Sequence, residues 1–166
     1  MFKKICIIGC GLIGSSIARA VKKNKLAKKI VSSNRSNATN KRVAKLNIVN
    51  EASSDTKKMV KESDLVIIAT PLSSYKNVFF KIKNSLKYGA ILTDVGSVKK
   101  EAILLIEKNI PKNVSWISSH PISGTEESGP ESGFAELFKN KWCILTPSKK
   151  SKNKDIKLLE KFWKKL

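Results

Sequence analysis

The chain alternates two hydrophobic patterns. Short unbroken apolar runs, at positions 4–8, 29–33, 64–71, 90–94, 115–119 and 141–147, have the length and β-branched content of strands. Between most of them apolar residues recur every three or four positions, and this spacing predicts helices from about Leu12 to positions 22–26, then over 38–46, 56–62, 73–86, a stretch ending near 109, and 154–166. A short strand near Ile48-Val49 and a short helix over 134–138 complete the expected elements. The run at 64–71 is apolar at nearly every position until Thr70-Pro71, the pattern of a central parallel strand covered on both faces. With no repeat, linker or change of composition, residues 1–166 are expected to form a single α/β domain around a doubly wound parallel sheet.

The turn after the first strand carries the strongest local signal. Gly9, Gly11 and Gly14 stand at G-x-G-x-x-G spacing, bounded by a strand before and an amphipathic helix after. The first glycine permits the sharp turn, the second lets a pyrophosphate approach the backbone, and the third lets helix and strand pack closely. The helix start at Leu12, Ile13 and Gly14 offers backbone N–H groups and a positive dipole end to the phosphates. These features imply a Rossmann-type dinucleotide site binding NAD or NADP. In this fold an acidic residue about 20 positions beyond the glycines receives the ribose hydroxyls, whereas a neutral residue beside an arginine accommodates a 2′-phosphate. Asn34 and Arg35 follow the second strand, so the reading leans to NADP, with NAD open; Ser36 also suits the N-cap of the next helix. Thr70 and Pro71, at the carboxyl end of a central strand, are expected to line the same cleft.

Charge alters this picture little. Lysine and arginine number 33 against 13 acidic residues, a net +20, which raises the question of a nucleic-acid partner. Arginine occurs only at positions 19, 35 and 42, lysines cover every predicted helix, and no aromatics interleave with them as stacking platforms. Nucleic acid is therefore not expected, and the lysines read as solvated helix faces. No apolar run approaches about 18 residues and none resembles a targeting signal, so no membrane is expected and the reading is cytoplasmic. Cys6, Cys10 and Cys143 lack metal-ligand spacing. Cys6 and Cys143 fall in strands expected to be buried, while Cys10 in the glycine turn is within possible reach of solvent but has no base to activate it. No metal and no catalytic thiol are expected.

His120, the only histidine, follows a predicted strand and precedes Pro121 and a polar loop over 122–133 rich in glycine, serine and acidic residues. The ligand side of an open α/β sheet is the carboxyl end of its strands, so His120 and Ser97, at the ends of successive strands, are expected to face one point. Imidazole there suits removal of a hydroxyl proton as hydride leaves the same carbon.

The segments Gly9–Gly14, Thr70-Pro71, Asp94-Val95-Gly96-Ser97-Val98-Lys99, His120-Pro121-Ile122-Ser123-Gly124-Thr125-Glu126-Glu127-Ser128-Gly129 and Leu145-Thr146-Pro147, in this order, resemble the prephenate/arogenate dehydrogenase family of tyrosine biosynthesis. The resemblance implies NAD(P)-dependent oxidative decarboxylation of a small molecule, prephenate or arogenate, with release of carbon dioxide and aromatisation of the ring. It implies His120 as the acceptor of the 4-hydroxyl proton, Ser97 as the group holding that hydroxyl, and Thr125 and Glu126 as members of a substrate-side loop. The family also has a C-terminal helical domain that makes a homodimer and supplies substrate-binding groups. The expectation here is a chain lacking that domain, mainly the cofactor-binding part of such an enzyme. Another β-hydroxyacid-type dehydrogenase and a non-catalytic NAD(P)-binding module are the alternative readings.

Overall fold

The computed structural model describes residues 1–97 and 99–166; Val98 of the quoted motif lies outside them. β1 (Phe2–Ile8) leads through the glycine turn into α1 (Leu12–Lys23), and β2 (Ala27–Ser33) into α2 (Asn37–Lys45). Next come β3 (Glu51–Ser53), α3 (Thr56–Val60), β4 (Leu65–Ile68), α4 (Tyr75–Ile82), β5 (Ile91–Asp94) and α5 (Lys100–Asn109). β6 (Ser115–Pro121), β7 (Cys143–Pro147) and α6 (Asn153–Trp163) complete the chain. The sheet order is β3-β2-β1-β4-β5-β6-β7, so the strand order reverses between β1 and β4. That is the switch point where the loops after neighbouring strands diverge and leave a crevice.

Alternation along the central strands fills two cores. Ile5 and Ile7 of β1 and Leu65 and Ile67 of β4 pack with Ile17 and Val21 of α1 and Leu159 and Phe162 of α6. Cys6, Ile8, Val66 and Ile68 point to the other face, against Tyr75, Phe79 and Ile82 of α4 and Ile106 of α5. A strand buried on both faces reads as a near-continuous apolar run, which is why β4 shows no polar alternation. Among the described residues no helix is long and apolar enough to cross a membrane.

The expected doubly wound parallel sheet is present, with β7 at one edge pairing antiparallel to β6, and two local expectations are corrected. Residues 122–142 contain no helix, so the chain does not cross the sheet face and re-enters from the end at which it left. The third strand lies at Glu51–Ser53, beyond Ile48-Val49; Ile48 instead buries itself from the preceding turn. The stretch 134–138 is a set of turns, with the N–H groups of Leu137 and Lys139 donating to the carbonyls of Phe134 and Glu136. Leu137 and Phe138 are buried there, and the Phe138 ring meets Trp163 edge-on at 5.7 Å. Packing of two large side chains, without helical geometry, accounts for their spacing.

Asp64 ties the start of β1 to the turn before β4. Its carboxylate accepts hydrogen bonds from the N–H of Lys3 at 2.6 Å and from Lys87 Nζ at 2.6 Å. Partial burial opposes ionisation of Asp64, but these bonds outweigh it and hold the carboxyl below its ordinary value. A carboxyl lowered on folding contributes stability above its unfolded pKa of about 3.9 and loses it as pH falls through the folded value. Asp64→Asn is expected to destabilise the fold by about 1–2 kcal/mol at pH 7, and by progressively less below about pH 4. Urea unfolding midpoints of the two proteins across this range check it; a gap independent of pH would contradict the assignment.

Candidate functional site

The site is built where β1, β2 and β4 end. Gly9 turns the chain at φ +93°, and its N–H donates to Ser33 O at 2.8 Å while Ala69 N–H donates to Ile8 O at 2.8 Å, so the turn is bound to both neighbouring strands. A Cβ at Gly14 would lie 2.0 Å from Gly9 O, whereas one at Gly11 would meet nothing within 4 Å. Gly14 therefore lets α1 sit against the turn, and Gly11 presents bare backbone to open space. No side chain caps Gly11, and the first turn of α1 carries no acidic residue, which leaves the positive end of the helix directed at the cleft.

A cavity of about 650 Å³ occupies this position. Gly9, Gly11, Asn34, Arg35, Ser36, Thr70 and Pro71 line it. Leu12 and Ile13 are half-buried at the start of α1, Gly14 is buried, and none of these three faces the cavity. Asn34 is a strut: its Oδ1 accepts from Cys10 N–H at 2.6 Å and its Nδ2 donates to Asn40 Oδ1 at 2.9 Å. An amide makes both bonds at once; an aspartate could accept the first but not donate the second. Ser36 caps α2, accepting from Thr39 N–H. The cysteine expectations change as well. Cys10 is only 1% exposed and burial pushes its thiol up to about 12, while Cys143 is half-buried on the outermost strand and pushed up to about 12 by the same cause.

Arg42 and Lys81 join Arg35 on the cavity wall, and no carboxylate among the described residues lines it. Sequence reading missed both, since each is one basic residue among many on a helix. The 122–133 loop also reaches this cleft, through Gly129 and Pro130. It is held down by an Arg42–Glu131 ion pair, by Arg19 donating to Pro130 O at 3.3 Å, and by Phe134 N–H donating to Ser16 Oγ at 3.1 Å. Thr125 and Glu126 are exposed on the same loop and line neither this cavity nor the next.

A second cavity, of about 400 Å³, opens beside the ends of β5 and β6. Ser97, Lys99 and His120 line it together, with Leu104 of α5 and Ile144 and Thr146 of β7. The expected meeting of Ser97 and His120 is thus present, because β5 and β6 are parallel neighbours. Beneath them lies a buried pair: Lys99 Nζ stands 3.1 Å from Asp94 Oδ2. Its sequence signal was two opposite charges five positions apart around a Gly-Ser turn.

The first cavity fits a dinucleotide. Gly11 leaves room at the helix end, and Thr70 Oγ1 is buried at the wall without a hydrogen-bond partner. Among the described residues no three His, Cys, Asp or Glu side chains group as metal ligands.

Residues 17–166 match the family model for the nucleotide-binding domain of prephenate dehydrogenase. The chain is 36% identical over its 166 residues to the cyclohexadienyl dehydrogenase of Zymomonas mobilis, covering 56% of that protein. It is 31% identical over 161 residues to the prephenate dehydrogenase of Bacillus subtilis, covering 96% of itself and 43% of that protein. Among solved structures, prephenate dehydrogenase from A. aeolicus, in complex with hydroxyphenyl propionate and NAD+, superposes with a TM-score of 0.91 at 27% identity, over 99% of this chain and 57% of that one. The chain thus spans about half the length of these relatives.

Proposed function

Because the chain belongs to the prephenate dehydrogenase family through that family's nucleotide-binding domain, we propose that it is the cofactor-binding part of an enzyme for NAD(P)-dependent oxidative decarboxylation of prephenate or arogenate. The observation that carries this reading is the placement of the glycine-turn cleft and the Ser97–His120 cavity along one edge of one sheet. The bound dinucleotide supplies the hydride acceptor. The residues of this chain hold and orient: the start of α1 takes the pyrophosphate, and Thr70 and Pro71 border the cofactor at the end of β4. Ser97 holds the substrate's 4-hydroxyl, and His120 removes its proton. Aromatisation drives the reaction, which leaves positioning and charge placement to the protein. Thr125 and Glu126, exposed on the loop, take the substrate side. A homodimer and a cytoplasmic setting belong to the same proposal, as in the family's usual form.

The cofactor proposal leans to NADP. It is supported by a cavity wall that carries Arg35, Arg42 and Lys81 and no carboxylate among the described residues. Arg42 is already paired with Glu131, so Arg35 is the cation proposed to meet the 2′-phosphate. A charge-assisted contact of about 1.5–3 kcal/mol would favour NADP by roughly tenfold or more. Arg35→Ala is expected to weaken NADP by that factor and leave NAD within about twofold; equal or tighter binding of NAD by the parent protein would overturn the preference.

The test of the function is a comparison. The 166-residue chain is expected to bind a dinucleotide and turn over little prephenate or arogenate, and the full natural protein to reduce the dinucleotide with either or both. Turnover of 3-hydroxy acids instead would favour another β-hydroxyacid-type dehydrogenase; binding without turnover in the full protein would favour a non-catalytic module.

A further inference from the structure

We propose that Asp94 and Lys99 form a buried clamp that positions His120, an inference that rests on the dehydrogenase reading of this site. Asp94 is fully buried at the end of β5, and Lys99 is 8% exposed after the turn that follows it. Asp94 Oδ1 accepts from Ser118 Oγ at 2.8 Å, from Ser119 N–H at 3.1 Å and from Lys99 Nζ at 3.2 Å. Its Oδ2 accepts from Lys99 Nζ at 3.1 Å and from Gly96 N–H at 3.1 Å. One carboxylate thus binds the residue before Ser97 and the residue before His120.

Lys99 completes the arrangement by donating to Ser119 O. The peptide N–H of Ser119 is held by Asp94 and its carbonyl by Lys99, while its hydroxyl meets Thr93 Oγ1 at 2.7 Å and accepts from Trp163 Nε1 at 3.2 Å. Every polar atom of the residue preceding His120 is therefore occupied, so the backbone that aims the imidazole has little freedom. Lys99 also lines the cavity shared by Ser97 and His120, so the clamp adjoins the reacting groups. A buried ion pair is weak as a source of stability, since apolar replacements of like volume often serve as well. Its value here lies in direction: a carboxylate and an ammonium grip opposite sides of one residue between two strands, which apolar side chains cannot do. Displacing a catalytic group by about 1 Å costs up to about a hundredfold in rate.

The experiment is a double-mutant cycle in the full natural protein, read as kcat, KM and dinucleotide Kd. Lys99→Met is expected to lower kcat about 10–100-fold with dinucleotide Kd within about twofold. Asp94 keeps three other donors in this variant, which favours retention of the fold. In a His120→Asn background the same change is expected to cost less than about twofold, since the residue it positions no longer takes the proton. Lys99→Gln, which retains an N–H donor without the charge, is expected to recover about tenfold of the loss; should Lys99→Met not fold, Lys99→Gln is read through the same cycle. The ring resonances of His120, assigned by their loss in His120→Asn, give a readout independent of turnover: they are expected to broaden or multiply in Lys99→Met. Equal losses from the Lys99 change in both backgrounds, or an unaltered kcat, would overturn the clamp and leave the dehydrogenase reading intact. Near-normal kcat in His120→Asn alone would instead overturn the role of His120 as the base, and absence of dinucleotide reduction by the parent protein would overturn the dehydrogenase reading.

Discussion

Replacing His120 by asparagine is expected to lower kcat of the full natural protein by about 10²–10⁴-fold, or roughly 3–5 kcal/mol in activation free energy, while dinucleotide affinity changes little. Loss of hydride turns the carbon that bears the hydroxyl into a carbonyl carbon, so the hydroxyl proton needs a base within hydrogen-bond reach. His120 is half-buried at the end of β6, lines the same cavity as Ser97, and is the sole histidine of these 166 residues. The cysteine alternatives are poor, because burial raises both Cys10 and Cys143 to about 12 and keeps them protonated. Asparagine preserves size and polarity without accepting the proton. The cavity that holds the imidazole is separate from the one lined by the glycine turn, so cofactor binding should survive the change. Steady-state kinetics beside a fluorescence titration of the dinucleotide decide the matter. Joint loss of cofactor binding and fold would make His120 a structural residue.

Gly14→Ala is expected to destabilise the chain by more than about 3 kcal/mol, which for a domain of this size is a fall in Tm of roughly 6–12 °C. The added methyl would stand 2.0 Å from Gly9 O and 3.2 Å from Ile7 Cγ2. Neither neighbour can yield. Gly9 is fixed by its hydrogen bond to Ser33 O, and Ile7 is fully buried between β2 and β4. The change must therefore push α1 away from the turn, and with it the helix end proposed to hold the pyrophosphate. Gly11→Ala is the contrasting case, since its methyl enters open space. That variant is expected to keep its Tm within about 2 °C yet bind dinucleotide more weakly, because the methyl occupies the approach to the backbone. Thermal unfolding and dinucleotide titration of both variants give the comparison. A Gly14→Ala protein with the Tm of its parent would show that the close contact is not a constraint.

Much of this architecture was legible because it depends on local pattern. The unbroken apolar run of β4, the glycine spacing before α1 and the N-cap at Ser36 each follow from which residues must be buried or turned, and neighbours in the chain suffice to specify them. His120 and Ser97 were placed from their positions at strand ends, and their shared cavity needed only that β5 and β6 be parallel neighbours. Where local pattern misled, a distant partner decided. Phe134, Leu137 and Phe138 are spaced as in a helix, but Leu137 and Phe138 are drawn into turns whose apolar partners come from α6.

The sequence by itself therefore determined the α/β order, the glycine turn and the strand-end positions of Ser97 and His120. Only the tertiary structure decided that β7 runs antiparallel, that Asn34 is spent bracing the glycine turn, that Arg42 is occupied by Glu131, and that Asp94 and Lys99 meet around Ser119. The physical reason is range: hydrophobic period and turn chemistry act over a few residues, whereas a hydrogen bond or ion pair joins whatever the sheet brings together. Asp94 and Ser119 are 25 positions apart, and Arg42 and Glu131 are 89 apart. Each pair exists because parallel strands end at one edge and the long loop returns across it.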